Sequence, residues 1–353
     1  MTRERVLAFR IARQHLGERV ADAATAAVAG LQDTPPGTAA LALAARADVG
    51  PEALDELVIA FSLRGAPTAV APADLALFTA GREPPDEKSA QAIIGSADGQ
   101  TGSFTALEAL DRVSEAVADA LSDGPLLKDD FHQALRERLP KELLWWCEGC
   151  QSHHVHPTLW RTTGVRGVLA VVGREGRSPV FGTPPPAEPL DDPGAALARR
   201  FLSVHGPATP DLLAAWAGIT PTHAKRLWDR AGALAPAGDK WVLAEDAALE
   251  APSPLGVRLL PNLDPLGSAR DRELLVPDKE LRKRIWRMLG GPGMVLIDGE
   301  VSALWRPQKK GKRLRVTVEP LRELSAAERD ALAAEAERIA PFRGADRAAL
   351  VVA

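Results

Sequence analysis

Few folds accommodate the stretch ATPDLLAAWAGITPTHAKRLWDRAG, residues 208–232. Thr209-Pro210 and Thr220-Pro221 follow one another closely, and each matches a helix N-cap with proline at the first helical position. Gly218 marks the turn between two short helices, and Gly232 marks the stop of the second. Leu212, Leu213, Trp216, Leu227 and Trp228 can then pack together, which leaves Lys225, Arg226 and Arg230 on the outer face of the second helix. That is a helix-turn-helix, and ALAPAGDKWVLA supplies a β-wing after it.

The same order recurs upstream. Apolar residues Val6, Leu7, Phe9, Ile11 and Leu16 predict a helix over Arg3 to His15, and further helices are expected at Arg19 to Val28, Gly37 to Arg46 and Pro51 to Ala60. FSLRGAPTAVAPADL then reads as a β-ribbon. A second round follows a Gly-, Ser- and Asp-containing stretch near residues 95–103. It has helices at Leu107 to Leu121, Lys128 to Leu139 and Pro157 to Thr163, then two strands in GVLAVVGREGRSPVFG. The proline-rich TPPPAEPLDDPG excludes regular helix or central strand and reads as a linker. Past residue 257 the pattern turns β-like, with Asp298-Gly299 as a hairpin turn and WRPQKKGKRLRV as a second hairpin with a Lys-Lys-Gly-Lys tip. An amphipathic helix near Ala326 to Ile339 ends the pattern. The expected class is α+β and helix-rich: three tandem winged-helix modules (1–104, 105–184, 185–252) and a C-terminal β-rich segment (253–353).

A chain of 353 residues exceeds one core of ordinary size, in keeping with several modules. Tyrosine is absent and aromatics reach 5%, so the cores must be mostly Leu, Val and Ala. No apolar run approaches the roughly 18 residues of a membrane helix, and MTRERVLAFRIARQHL carries charges where a signal peptide would be apolar. A cytoplasmic protein without a membrane partner is expected. The net charge of −4 conceals an asymmetry: from Arg258 to Thr317 there are 14 Lys or Arg against 7 Asp or Glu. No Gly-rich phosphate loop, Ser-His-Asp spacing or redox-cofactor fingerprint occurs.

GLQ before an apolar helix ending in Arg46, LVIAFSLRGAPTAVAPADL, LLPNLDPLGSARDR and VLIDGEVSALWRP occur in that order. Together they resemble the winged-helix DNA glycosylases that excise alkylated purines and unhook interstrand crosslinks, the AlkZ-like family. The resemblance runs over nearly the whole length. It implies three winged helices in a C-shape around a concave DNA-binding face, closed by a β-rich segment. It implies double-stranded DNA, alkylated or otherwise damaged, as the partner of a monomer. It also implies a catalytic Gln-x-Gln or Gln-x-Asp in the loop before the third helix.

An alkylated purine already carries positive charge and leaves readily. The enzyme's task is to hold a water near the sugar and stabilise oxocarbenium character. A glutamine carbonyl can do both. Gln32 matches the first motif position and Thr34 falls on the second, with Asp33 between them and expected to point elsewhere. Thr34 can hold water through its hydroxyl but offers a weaker dipole and no charge. Asp33 and Thr34 can equally cap the following helix, opened by Pro35 or Pro36. Two functions follow: a glycosylase using Gln32, Thr34 and Asp33, or a non-catalytic DNA-binding or regulatory protein on the same scaffold.

Cys147, Cys150, His153 and His156 in WWCEGCQSHHVHP could form a zinc site from a Cys-x2-Cys half and neutral histidines. The alternative is buried thiols and histidines lining a helix junction, and no cofactor is expected on that reading. Arg64, Lys225, Arg226, Arg230, Arg270, Arg272, Lys309, Lys310, Lys312 and Arg313 are the candidate DNA contacts. The hairpin tip carries the strongest argument, since cations crowded at one turn repel each other without an anion nearby. The run KELRKRIWR reads instead as a solvated helix face with ordinary Glu280 pairs.

Overall fold

The computed structural model describes residues 2–95, 100–248, 256–287 and 290–353. The expected linker near 95–103 lies partly outside the described residues, and the expected boundary at 252–253 lies wholly outside them. The chain divides into two compact units, one of Met1–Leu57, Arg200–Leu212 and Ala233–Ala353, the other of Val58–Arg199 and Leu213–Gly232.

The first unit is built on a five-stranded sheet in the order 257–260, 293–297, 300–310, 313–320, 347–352. Strand Gly293–Ile297 is buried at every position because both sheet faces are covered. Alternation sorts its side chains: Val295, Ile297, Ala303 and Trp305 join Leu41, Ala44, Leu332 and Ile339 in one core. Met294, Leu296 and Leu304 join Leu7, Ile11, Ala45 and Ile285 in another. Helix Thr38–Arg46 contributes to both and is buried along its entire length. Asp298 (φ 49°) and Gly299 (φ 83°) make the expected two-residue turn, both left-handed as that hairpin type requires. The second hairpin also forms as expected, with Lys310 opposite Arg313 across the Gly311-Lys312 turn. Strand Arg347–Val352, absent from the sequence expectation, pairs in parallel with Arg313–Val318. Helix Ala326–Ile339 follows expectation and opens on a Ser325–Glu328 capping box.

Two buried ion pairs anchor this unit. Arg46 donates to both carboxylate oxygens of Asp264 at 2.8 Å, with both side chains 0% exposed. Arg10 and Asp271 repeat the bidentate geometry at 2.8 Å. Arg46 also reaches Gln14, whose amide donates to the Val204 carbonyl.

In the second unit the strand order is 67–70, 58–61, 170–175, 178–182, 126–127. Helices Ala106–Ala120, Lys128–Arg138 and Pro157–Thr162 pack on the sheet around Phe61, Phe131, Trp160 and Phe181. Thr220 caps helix Pro221–Trp228 by accepting from the His223 amide, and Gly218 turns with φ 70°. A β-carbon at Gly218 would lie 2.9 Å from the Arg64 backbone, so only glycine fits there.

Two helix expectations are corrected. In place of Arg19 to Val28, only Ala23–Ala26 is helical, because Asp22 caps Thr25 and Val20 is drawn into a backbone bridge with Ala47. In place of Pro51 to Ala60, a 3-10 turn over Pro51–Glu56 gives way to strand Val58–Phe61, where β-branched Val58 and Ile59 pair with Val70 and Ala69.

Candidate active-site loop and nucleic-acid contacts

The candidate loop begins at left-handed Gly30, passes through the two-residue strand Leu31–Gln32, and enters helix Thr38–Arg46. Leu31 is fully buried, so Gln32 faces the other way and is half-buried. Asp33 turns inward. Its Oδ1 accepts from the amides of Gly37 at 2.7 Å and Ala39 at 3.3 Å, satisfying donors that a helix start leaves open. The Thr38 hydroxyl lies 2.8 Å from the carbonyls of both Gln32 and Pro35, tying the two ends of the loop. Thr34 is exposed, and none of the described residues hydrogen-bonds its hydroxyl. Of the two capping candidates, Asp33 therefore takes the cap and Thr34 does not.

Gly37 holds φ 86°, and a β-carbon there would lie 2.6 Å from Arg343 Nη1. Arg343 thus packs against the helix start, and its buried Nε has no hydrogen-bond partner among the described residues. The adjoining Gly344 is close to Lys309, whose Nζ would be 3.1 Å from a β-carbon placed there. Loop, Arg343 and hairpin tip are therefore contiguous. Sequence reasoning missed Arg343; the short PFRGAD segment carries no periodic or charge-run signal, and only the fold brings it to the loop.

The candidate DNA contacts fall into separate settings. Lys309, Lys310 and Arg313 are exposed, while Lys312 faces Asp346 at 3.5 Å. Arg270 is exposed with φ 73°. Arg272 stacks over Trp286 at 4.6 Å, and burial, followed by the charge of Arg270, lowers its pKa to about 10. It remains cationic at neutral pH. Lys225, Arg226 and Arg230 are exposed but paired with Asp229, Asp86 and Asp192 at 2.8, 2.9 and 2.7 Å. Arg64 is left-handed and donates to the Trp216 carbonyl at 2.6 Å, while buried Arg82 donates to that of Ala217. Both neutralise the negative end of helix Pro210–Ala217. In KELRKRIWR, Glu280 pairs with Lys283 and Arg284 with Glu319, as a solvated face does.

The cysteine cluster differs from expectation. Strand Trp145–Cys147 pairs with Ser152–His154, and period-two alternation puts Cys147 and His154 on one face and His153 on the other. Cys147, Cys150 and His154 converge, with ligand atoms within 4.8 Å of one another. His153 is exposed against Trp146, with ring centroids 5.1 Å apart, and His156 caps helix Pro157–Thr162. Neither joins the cluster.

Among the described residues no helix is long and apolar enough to cross a membrane. A family model described as DNA glycosylase AlkZ-like matches residues 25–342. Among solved structures, the Streptomyces sahachiroi DNA glycosylase AlkZ is similar with a TM-score of 0.75 at 20% sequence identity, covering 100% of both chains. At that identity the likeness is one of fold. No curated protein matches.

Proposed function

The chain belongs to the AlkZ-like DNA glycosylase family, and from that premise we propose that it hydrolyses the N-glycosidic bond of alkylated purines in duplex DNA, interstrand crosslinks included. In this reading Gln32 accepts a hydrogen bond from the attacking water and faces the developing oxocarbenium, and the Thr34 hydroxyl holds the same water from the second motif position. Asp33 shapes the loop from inside. Arg343, Lys309 and Lys310 hold phosphates beside the lesion, in a cytoplasmic monomer whose three winged-helix modules and β-rich segment curve around the DNA.

The observation that carries the reading is the division of labour within the loop. Asp33 and Thr38 fix its backbone, so the exposed Thr34 needs no structural partner, and Arg343 packs against Gly37 at the end of the loop. The test is release of free N7-alkylguanine from alkylated duplex by wild type, Gln32→Ala and Thr34→Ala. Wild type is expected to release base, Gln32→Ala to lose about 100-fold or more, and Thr34→Ala less. Release no faster than in buffer by the wild type rejects the reading.

Thr34 itself favours a second reading, since a hydroxyl stands where the family keeps an amide or a carboxylate. A DNA-binding protein without glycosylase chemistry would bind duplex in a salt-dependent way that Gln32→Ala leaves unchanged. Thr34→Asp separates the two: a glycosylase held back at this position gains rate, and a binder gains none.

A further inference from the structure

Hairpin 145–154 is a short pair of strands. Each strand has three residues, Trp146 and His153 face solvent, and the turn carries left-handed Gln151 (φ 50°). Two short strands alone are marginal in water. The side chains that converge at this turn are two thiols and an imidazole, with ligand atoms no more than 4.8 Å apart.

We propose that Cys147 Sγ, Cys150 Sγ and His154 Nε2 bind a zinc ion, with His132 closing the tetrahedron. Four observations meet in this assignment. Ligand bonds of about 2.3 Å to sulfur and about 2.0 Å to nitrogen at tetrahedral angles place such atoms roughly 3.5–4 Å apart, so the cluster needs only a small closure. His154 Nδ1 lies 2.9 Å from the Val155 carbonyl, which fixes the proton there and leaves Nε2 as the free lone pair, the arrangement metal-bound histidines use. The Cys150 amide donates to the Cys147 carbonyl at 3.2 Å and closes the turn that brings the two thiols together. Finally, His132 comes from helix Lys128–Arg138, lines the same cavity of about 540 Å³, and has a buried Nδ1 with no partner among the described residues. Its ring centroid is 5.6 Å from that of His154, close to the roughly 5 Å expected for two imidazoles on one zinc.

Zinc binding displaces the two thiol protons to solvent and takes the two imidazole lone pairs, leaving a neutral site. The ion would fasten the hairpin to helix Lys128–Arg138 and so to the Phe131 and Trp160 core. Nothing in this site depends on the chemistry of the loop at Gln32.

The experiment is metal analysis of the full chain purified under reducing conditions, with thiol titration confirming both cysteines reduced, and cobalt substitution as a spectroscopic readout. One zinc per chain retained through dialysis is expected, together with thiolate-to-cobalt charge-transfer bands. Cys147→Ser and His154→Ala should lose the ion, His132→Ala should weaken binding by at least tenfold, and His153→Ala and His156→Ala should keep it. A reduced wild-type chain that takes up neither zinc nor cobalt overturns the site, and this outcome does not depend on any variant folding. Loss in His153→Ala equal to that in His154→Ala overturns the ligand set, and wild-type affinity in His132→Ala overturns the closure.

Discussion

Removing the Asp264 carboxylate should destabilise the first unit more than any single apolar truncation near it. Asp264 and Arg46 are both 0% exposed, joined by two hydrogen bonds of 2.8 Å, and Asp264 Oδ1 also accepts from the Leu266 amide at 2.9 Å. Asp264→Ala leaves a guanidinium buried without its anion, which costs about 3–5 kcal/mol, and the lost cap adds about 1 kcal/mol. Arg46→Met leaves the reverse orphan and should cost a similar amount. In Arg46→Met/Asp264→Ala neither charge remains, so the double variant should cost less than either single, a coupling of at least about 3–5 kcal/mol. The measurement is urea unfolding of all four proteins, with hydrogen exchange on the peptide covering residues 38–46 to localise the effect to the helix that carries the candidate loop. Single variants costing under about 1 kcal/mol, or a double variant whose loss equals the sum of the singles, would refute the reasoning.

Asp33→Ala removes the acceptor for the Gly37 and Ala39 amides and should cost about 1–2 kcal/mol, while Asp33→Asn retains most of that stability; thermal unfolding compares them. Burial, with Arg226 next, pushes the His223 pKa down to about 4, so the folded chain keeps this ring neutral where the unfolded chain protonates it near 6.5. Stability should therefore fall as pH drops from about 6.5 toward 4, with this group contributing at most about 1.4 kcal/mol per pH unit. His223→Leu should flatten that limb in unfolding curves taken across the range. At the hairpin, Lys309→Ala/Lys310→Ala should weaken duplex binding and reduce the slope of log K against log salt by about 1–2, read by fluorescence anisotropy over a salt series. Lys312→Ala should change it less, because Asp346 already shares that charge.

Local chemistry was legible in the sequence wherever a residue acts within its own turn. Thr220 caps its helix, Asp298-Gly299 makes its hairpin, and the Lys-rich turn forms at Gly311-Lys312. Failures came where distant partners decide. Residues 19–28 carry helix formers, yet Val20 is claimed by the backbone around Ala47. Val58 and Ile59 extended the apolar pattern of Pro51 to Ala60 but pair as a strand. Arg347–Val352 is too short and mixed to stand out before its partner strand is known. The site divides in the same way. The position of Gln32 and the capping role of Asp33 were readable, whereas Arg343 reaches the loop only through the fold. His154 rather than His153 meets the cysteines because WWC and SHH pair as strands, and alternation puts His154 on the face of Cys147.

Strand Arg347–Val352 has a consequence for how the hairpin can meet DNA. Beyond Trp305 the strand Glu300–Lys310 has left its partner Gly293–Ile297, and a two-stranded finger would be free to bend there. The parallel strand lies along the far side of Arg313–Val318 as far as the tip, Arg347 opposite Arg313, and makes the finger three strands wide. Its lysines are then presented on a stiff support. If the tip engages phosphates as proposed, little conformational entropy remains to be lost, so more of each contact survives as affinity. The outer edge, Arg306 to Lys310, is kept from pairing with other chains by its own charges and by Pro307.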